Sequence, residues 1–241
     1  MTTILCIPSP PFGAFFWTAV CKRLEDHHQP TKIVTPLLDA ENLAQATRLL
    51  DDELSSIDDS IILLTHGATL NLGLALATHP KVRGIVLTNG SVSKPSILAQ
   101  LGSNIPTSLL KIALSPRIST SIFSSSLGMR RWVVNPYVMN RDMVVRVCQE
   151  FLENRTYRNN ALKWVGNNAT PLSEAKQIET PCLSIWGTHD FFHPISERQQ
   201  LDKILTQHTA IDVPGGRYLH ALERPWETAD ALLQWMRQLS L

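Results

Sequence analysis

Apolar runs and helically spaced apolar residues take turns along the first part of the chain. Residues 3–7 form a short apolar run ended by Pro8, Ser9, Pro10 and Pro11, which reads as a buried strand entering a rigid loop. Residues 15–24 carry apolar positions at helical spacing, and 32–38 reads as a second strand. Residues 41–54 place Leu43, Ala44, Ala46, Leu49, Leu50 and Leu54 on an amphipathic helix. Ile61, Ile62, Leu63 and Leu64 then read as a fully buried strand. A break follows at Thr65, His66 and Gly67, and helical spacing resumes at Leu70, Leu72, Leu74 and Ala75. Residues 82–88 are a further strand. This βαβα alternation predicts a parallel sheet with helices on both faces.

The rhythm stops at Asn89. From 91 to about 178 the sequence is helical and serine-rich, with short helices expected over 98–101, 107–114, 129–134, 142–152 and 160–165. The segment is too long for a plain loop, so it reads as an inserted helical cap. A strand at 181–186, a helix at 195–204, a last strand at 209–213 and a terminal amphipathic helix at 226–239 restore the pattern. The organisation expected is therefore a core α/β domain in two parts, 1–90 and 179–241, interrupted by the cap at 91–178.

Composition narrows the chemistry. The 241 residues are 44% hydrophobic, enough for one sizeable core. With 22 basic and 21 acidic residues, and no basic run, there is no electrostatic footprint for nucleic acid or an anionic membrane. No apolar run approaches the roughly 18 residues of a membrane span, and the N-terminus lacks the charged start of a signal peptide. The chain thus reads as cytoplasmic. Cys6, Cys21, Cys148 and Cys182 show no C-x-x-C spacing and suit reduced, buried thiols. His189 and His193 stand four apart, but between a strand and Pro194, which does not give helical metal-ligand geometry; no metal site is expected. Without a G-x-G-x-x-G or Walker pattern, no cofactor is expected either. A small, mainly apolar molecule is the default partner, and a homodimer is left open.

Three stretches carry a resemblance. Thr65, His66, Gly67, Ala68 and Thr69 fall where a strand, sharp turn and helix would place a G-x-S-x-G nucleophile elbow. PCLSIWGTHD at 181–190 ends a strand with an acid, and VPGGRYLHALERPWETADALLQWM at 213–236 runs from a glycine turn into a helix. On these residues, and over nearly its full length, the chain resembles the α/β-hydrolase family. The resemblance implies about six mostly parallel strands flanked by helices, with an inserted helical cap. It puts the triad acid on Asp190, the nucleophile position on Gly67 and the base position on Tyr218, with His220 two residues further along. The family's H-G pair in the first loop becomes Pro8 and Ser9, followed by two prolines that have no backbone N–H to give.

Acyl hydrolysis on this fold needs an activated hydroxyl, a base within reach and donors aimed at the oxyanion. Gly67 has no side chain, so a covalent acyl intermediate cannot form there, although glycine can keep the elbow's backbone. Asp190, His220 and Tyr218 are the catalytic candidates, with His66 beside the elbow in either a packing or a catalytic role. Phe12, Gly67, Ala68, Trp132 and Phe192 are candidate ligand contacts, and the Ala68 N–H is a candidate donor to a ligand oxygen. Glu223 reads as a cap for the last helix. Three functions stay open. One is a non-hydrolytic lyase, isomerase or cyclase acting on a hydrophobic, carbonyl-bearing or polyketide-like metabolite, with His220 oriented by Asp190, or Tyr218, moving the proton. Another is a catalytically dead ligand-binding protein, and the last is hydrolysis by a water that an Asp/His dyad activates.

Overall fold

The computed structural model describes residues 2–92, 107–167 and 178–239. Six strands form one parallel sheet: β1 (Thr2–Ile7), β2 (Thr31–Ile33), β3 (Ser60–His66), β4 (Val82–Thr88), β5 (Cys182–Gly187) and β6 (His208–Val213), in the spatial order β2-β1-β3-β4-β5-β6. The central strands are apolar on both sides because helices cover both faces. Ile4, Leu5, Leu63, Leu64, Ile85, Val86 and Leu183 have no exposed surface. The chain steps from β1 outward to β2 and then back across β1 to β3, so the sheet reverses direction between β1 and β3. Loops leaving those two carboxyl ends diverge, which makes the crevice between them the natural place for a site. Ser9 follows β1 and Gly67 follows β3.

On one face α1 (Phe15–Asp26) packs against the terminal α11 (Pro225–Gln238); on the other, α2 (Leu43–Ser56) packs against α3 (Leu70–Ala75). Asn42 rather than Glu41 opens α2, its side-chain oxygen accepting the Gln45 N–H at 3.0 Å. The second strand is shorter than the 32–38 expected from the pattern. Pro36 starts a 3₁₀ turn over Pro36–Leu38, and a proline has no N–H for a strand ladder.

Between β4 and β5 the described cap helices are α4 (Thr107–Ala113), α5 (Pro116–Ser124), α6 (Arg141–Val147), α7 (Gln149–Glu153) and α8 (Arg155–Asn167). The helix expected at 98–101 lies outside the described residues. The one expected over 142–152 is two helices broken at Cys148, and that over 129–134 is a single 3₁₀ turn, Met129–Arg131. The sequence pattern gives no sign of α5, because its serines and threonines dilute the apolar spacing. Buried side chains tie cap to core through backbone groups. Tyr157 Oη donates to the Phe12 carbonyl at 2.7 Å, Trp164 Nε1 donates to the Ala68 carbonyl at 3.1 Å, and Asn160 Nδ2 donates to the Leu37 and Leu38 carbonyls. Glu223 does not cap α11. Its carboxylate accepts the N–H groups of Val134 and Asn135 at 2.8 and 2.6 Å, so it holds the cap instead.

Candidate functional site

At the end of β3 the chain turns sharply at Gly67, whose φ of +57° is easy for glycine and costly for a side chain. The Gly67 N–H donates to the Asn89 carbonyl at 2.7 Å, which fixes the elbow against the end of β4. The turn is therefore an elbow in backbone terms.

The place where a nucleophile would stand is filled. A Cβ built on Gly67 would lie 2.1 Å from Tyr218 Oη and 2.9 Å from Ser9 Oγ. The Ala68 N–H, the candidate oxyanion donor, points at Ser9 Oγ at 3.0 Å, and Ser9 also hydrogen-bonds the Tyr218 phenol. Ser9 Oγ also lies 3.3 Å from the Pro10 carbonyl, which can accept its proton. Tyr218, Ser9 and Ala68 thus form a closed hydrogen-bond chain across the crevice. Burial pushes the Tyr218 phenol above its ordinary value, the Ser9 hydrogen bond opposes this and the nearby Asp190 charge adds to it; the phenol stays neutral.

Aromatic rings box in this phenol. His66 stands 4.5 Å from the Tyr218 ring centroid, His193 5.0 Å, Trp132 5.7 Å, Phe192 5.9 Å and Phe12 6.2 Å. Phe12, His66 and Ser9 have 0% exposed surface, so they border no water-sized space. Of the contacts expected to line an open pocket, Phe12, Trp132 and Phe192 pack on Tyr218. Gly67 is covered by its hydroxyl, and the Ala68 N–H is taken by Ser9.

His66 is a packed residue. Thr88 Oγ1 donates to the Thr65 carbonyl at 3.0 Å and so receives the His66 Nδ1 proton, also at 3.0 Å. Nε2 is then a bare lone pair, buried and without a hydrogen-bond partner among the described residues. Burial holds this imidazole well below the ordinary histidine value, with His220 and His193 adding to the drop.

Asp190 is not joined to either expected base. Its carboxylate accepts from Asn89 Nδ2 at 2.5 Å, from the Phe192 N–H at 2.8 Å and from His193 Nδ1 at 3.1 Å. The dyad expected with His220 or Tyr218 is replaced by one with His193, because Asp190, Phe191, Phe192 and His193 turn back on themselves and bring the i+3 imidazole to the acid. His220 lies elsewhere. It is 1% exposed, and neither ring nitrogen has a well-aligned hydrogen bond among the described residues, although the Arg217 carbonyl lies close enough to act on it. Burial lowers its pKa to about 4, while the Arg217 carbonyl and Asp190 pull it up and Arg224 adds to the drop.

Two residues of the site carry roles that their sequence context hides. Asn89, at φ +32°, accepts the Gly187 N–H on Oδ1 at 3.0 Å, donates to Asp190 and takes the Gly67 N–H on its carbonyl. It joins the ends of β3, β4 and β5 through one buried amide. The signal was an Asn-Gly pair directly after a strand. In the sequence His193 carries only a candidate metal-ligand spacing with His189. Among the described residues no group of three or more His, Cys, Asp or Glu side chains could hold a metal ion.

A second constellation sits toward the amino ends of the strands. Ser184 Oγ lies 2.8 Å from His208 Nε2, and His208 Nδ1 lies 2.6 Å from Asp202 Oδ1. The order is serine, histidine, aspartate, yet Ser184 is fully buried within β5.

No helix among the described residues is long and apolar enough to cross a membrane. No family model matches the chain, and no curated protein matches it significantly. Solved structures do. MenH from S. aureus aligns over 100% of this chain and 95% of its own, with a TM-score of 0.77 and 15% identity. A thermophilic esterase from Thermogutta terrifontis aligns over 99% and 90%, with 0.74 and 14%. The enol-lactonase from Burkholderia xenovorans LB400 aligns over 98% and 91%, with 0.73 and 15%. With its six parallel strands, flanking helices and these neighbours, the chain adopts the α/β-hydrolase fold.

Proposed function

We propose that this chain is a ligand-binding member of the α/β-hydrolase fold that performs no acyl transfer, and that its ligand is a small, mainly apolar molecule bearing a carbonyl group. The observation that carries the reading is the chain from Tyr218 Oη through Ser9 Oγ to the Ala68 N–H. It puts neutral donors where a hydrolase places a nucleophile and an oxyanion. Ser9 sits there as an internal surrogate for a ligand oxygen. A ligand carbonyl that displaces it meets two donors, the Ala68 N–H and the Tyr218 O–H, in aromatic surroundings. Breaking the two Ser9 contacts costs about 1–3 kcal/mol, which sets an affinity penalty rather than a barrier to binding. Hydrophobic ketones and lactones are expected to raise the melting temperature in proportion to the logarithm of their concentration and to be recovered unchanged. Recovery of a converted product would overturn the reading.

A second reading is acid/base conversion of the ligand as a lyase, isomerase or cyclase. The Asp190–His193 pair supports it: the acid orients an imidazole whose ring lies 5.0 Å from the Tyr218 ring. The neighbours that are esterases and lactonases are consistent with an enzyme, although the hydrolytic route lacks its nucleophile here. If this reading holds, His193→Gln abolishes turnover and leaves ligand binding within about twofold.

A further inference from the structure

The balance of 22 basic against 21 acidic residues, which argued against an anionic surface as a partner, is an average over two unlike parts of the chain. Residues 60–141 contain no aspartate or glutamate, yet they hold eight of the basic residues; every acid lies outside them. The fold puts the later part of this acid-free stretch into the cap, as α4, α5 and the 3₁₀ turn Met129–Arg131. α5 packs against both of the others, so the three are neighbours on the cap.

α5 is amphipathic the wrong way round. Ser119 and Thr120 are buried, whereas Ile118 and Ile122, four apart and so on one face, are 40 and 47% exposed. The inward hydroxyls find partners close by: Ser119 Oγ donates to the Ala113 carbonyl at 3.3 Å and Thr120 Oγ1 to the Pro116 carbonyl at 2.8 Å. Leu109 and Ile112, three apart on α4, are 55 and 59% exposed, and Leu127, just beyond α5, is 74% exposed. A single exposed leucine is ordinary, but large aliphatic side chains gathered on neighbouring elements make a patch that water disfavours. Lys111, Arg117 and Arg131 are exposed on the same elements, and among the described residues none of them is ion-paired with a carboxylate.

Unpaired cations beside open aliphatic side chains match anionic headgroups over acyl chains. A nucleic acid would use the cations, but its bases stack on aromatic side chains rather than on isoleucines. An acidic protein would use them too, but leucine is under-represented among the side chains that anchor protein interfaces. We propose that this face of the cap, the exposed aliphatic side chains of residues 109–127 together with Lys111, Arg117 and Arg131, docks the protein on an anionic lipid surface. The aliphatic side chains enter the headgroup layer and the cations lie against lipid phosphates. Docking does not depend on what occupies the crevice, so it stands or falls separately from the reading of the ligand.

The test mixes the whole chain with vesicles of phosphatidylcholine, either alone or with about one third phosphatidylglycerol, and separates bound from free protein by flotation. Binding is expected on the anionic vesicles and not on the neutral ones, and it should weaken as salt is raised. Arg117→Ala should weaken it about fivefold, the worth of one cation near such a surface, and Arg117→Glu by more. Ile118→Ser combined with Ile122→Ser should weaken it about tenfold while the urea midpoint stays that of the parent chain. Lys203→Ala, which removes an exposed cation beside the amino ends of the strands, should change nothing. No binding to anionic vesicles, equal binding to neutral ones, or full binding by Arg117→Glu would each overturn the proposal. Retention on polyglutamate that survives the two isoleucine substitutions, without vesicle binding, would overturn it in favour of an acidic protein partner.

Discussion

Two regions of this molecule each hold half of a hydrolytic machine. The crevice at Gly67 has the location: a positive-φ turn at the sheet's topological switch point, a helix start behind it and an acid on the neighbouring loop. It has no nucleophile, and its donors are engaged by Ser9 and Tyr218. The Ser184, His208 and Asp202 chain has the order of atoms, with contacts of 2.8 and 2.6 Å, but Ser184 is sealed inside the sheet. Catalysis by such a triad needs access and oxyanion donors together with the hydrogen bonds. Neither region combines them: the serine of the one is sealed inside the sheet, and the elbow of the other is filled by Tyr218 and Ser9.

The sharpest way to break this contrast is to restore a side chain at the elbow. Gly67→Ser must hold a positive φ and displace Tyr218 Oη from 2.1 Å, which is expected to cost about 3–5 kcal/mol in urea unfolding. Combining it with Tyr218→Ala should recover at least the steric part, a coupling that a double-mutant cycle reads directly. Full stability in Gly67→Ser alone would mean that the crevice is open.

The next effect depends on pH. His220 has a folded value of about 4 against 6.5 for a free histidine, so between those values the unfolded chain binds more protons than the folded one. Stability from this residue is full above pH 6.5 and is lost as pH falls toward 4, by about 3 kcal/mol. His66 is shifted in the same direction and adds to the loss. Urea midpoints measured across this window should fall, and His220→Phe should flatten the profile. A profile unchanged in that variant would contradict the placement of His220 as a buried, neutral imidazole.

Smaller effects separate the two constellations. Ser184→Ala is expected to lose about 1 kcal/mol, because His208 forfeits one buried partner, and a serine-directed phosphonate should label neither Ser184 nor Ser9. Tyr218→Phe is expected to lose about 0.5–1 kcal/mol and to weaken carbonyl ligands at the crevice, since one of their two donors is gone.

The fold was legible because parallel strands are buried on both faces and leave long apolar runs, as at Ile61, Ile62, Leu63 and Leu64. The register of helices was legible where one face is apolar and was lost where polar residues dilute it, as in α5. Positions along the chain also carried Gly67 to the elbow. Distances between side chains were beyond reach: the pattern at 181–190 placed Asp190 on a loop but said nothing about His193 folding back onto it. In the sequence, Tyr218 and His220 compete for one position. In the structure they occupy different spaces, because the turn after Gly215 and Gly216 sends Tyr218 into the crevice and His220 behind it.

The crevice is expected to form no acyl-enzyme. Incubating the chain with p-nitrophenyl acetate while following nitrophenol release and the intact mass tests it most directly. Release at the uncatalysed rate and an unmodified protein mass are expected. A burst of nitrophenol with an acetylated serine, lost in Ser9→Ala or Ser184→Ala, would contradict it.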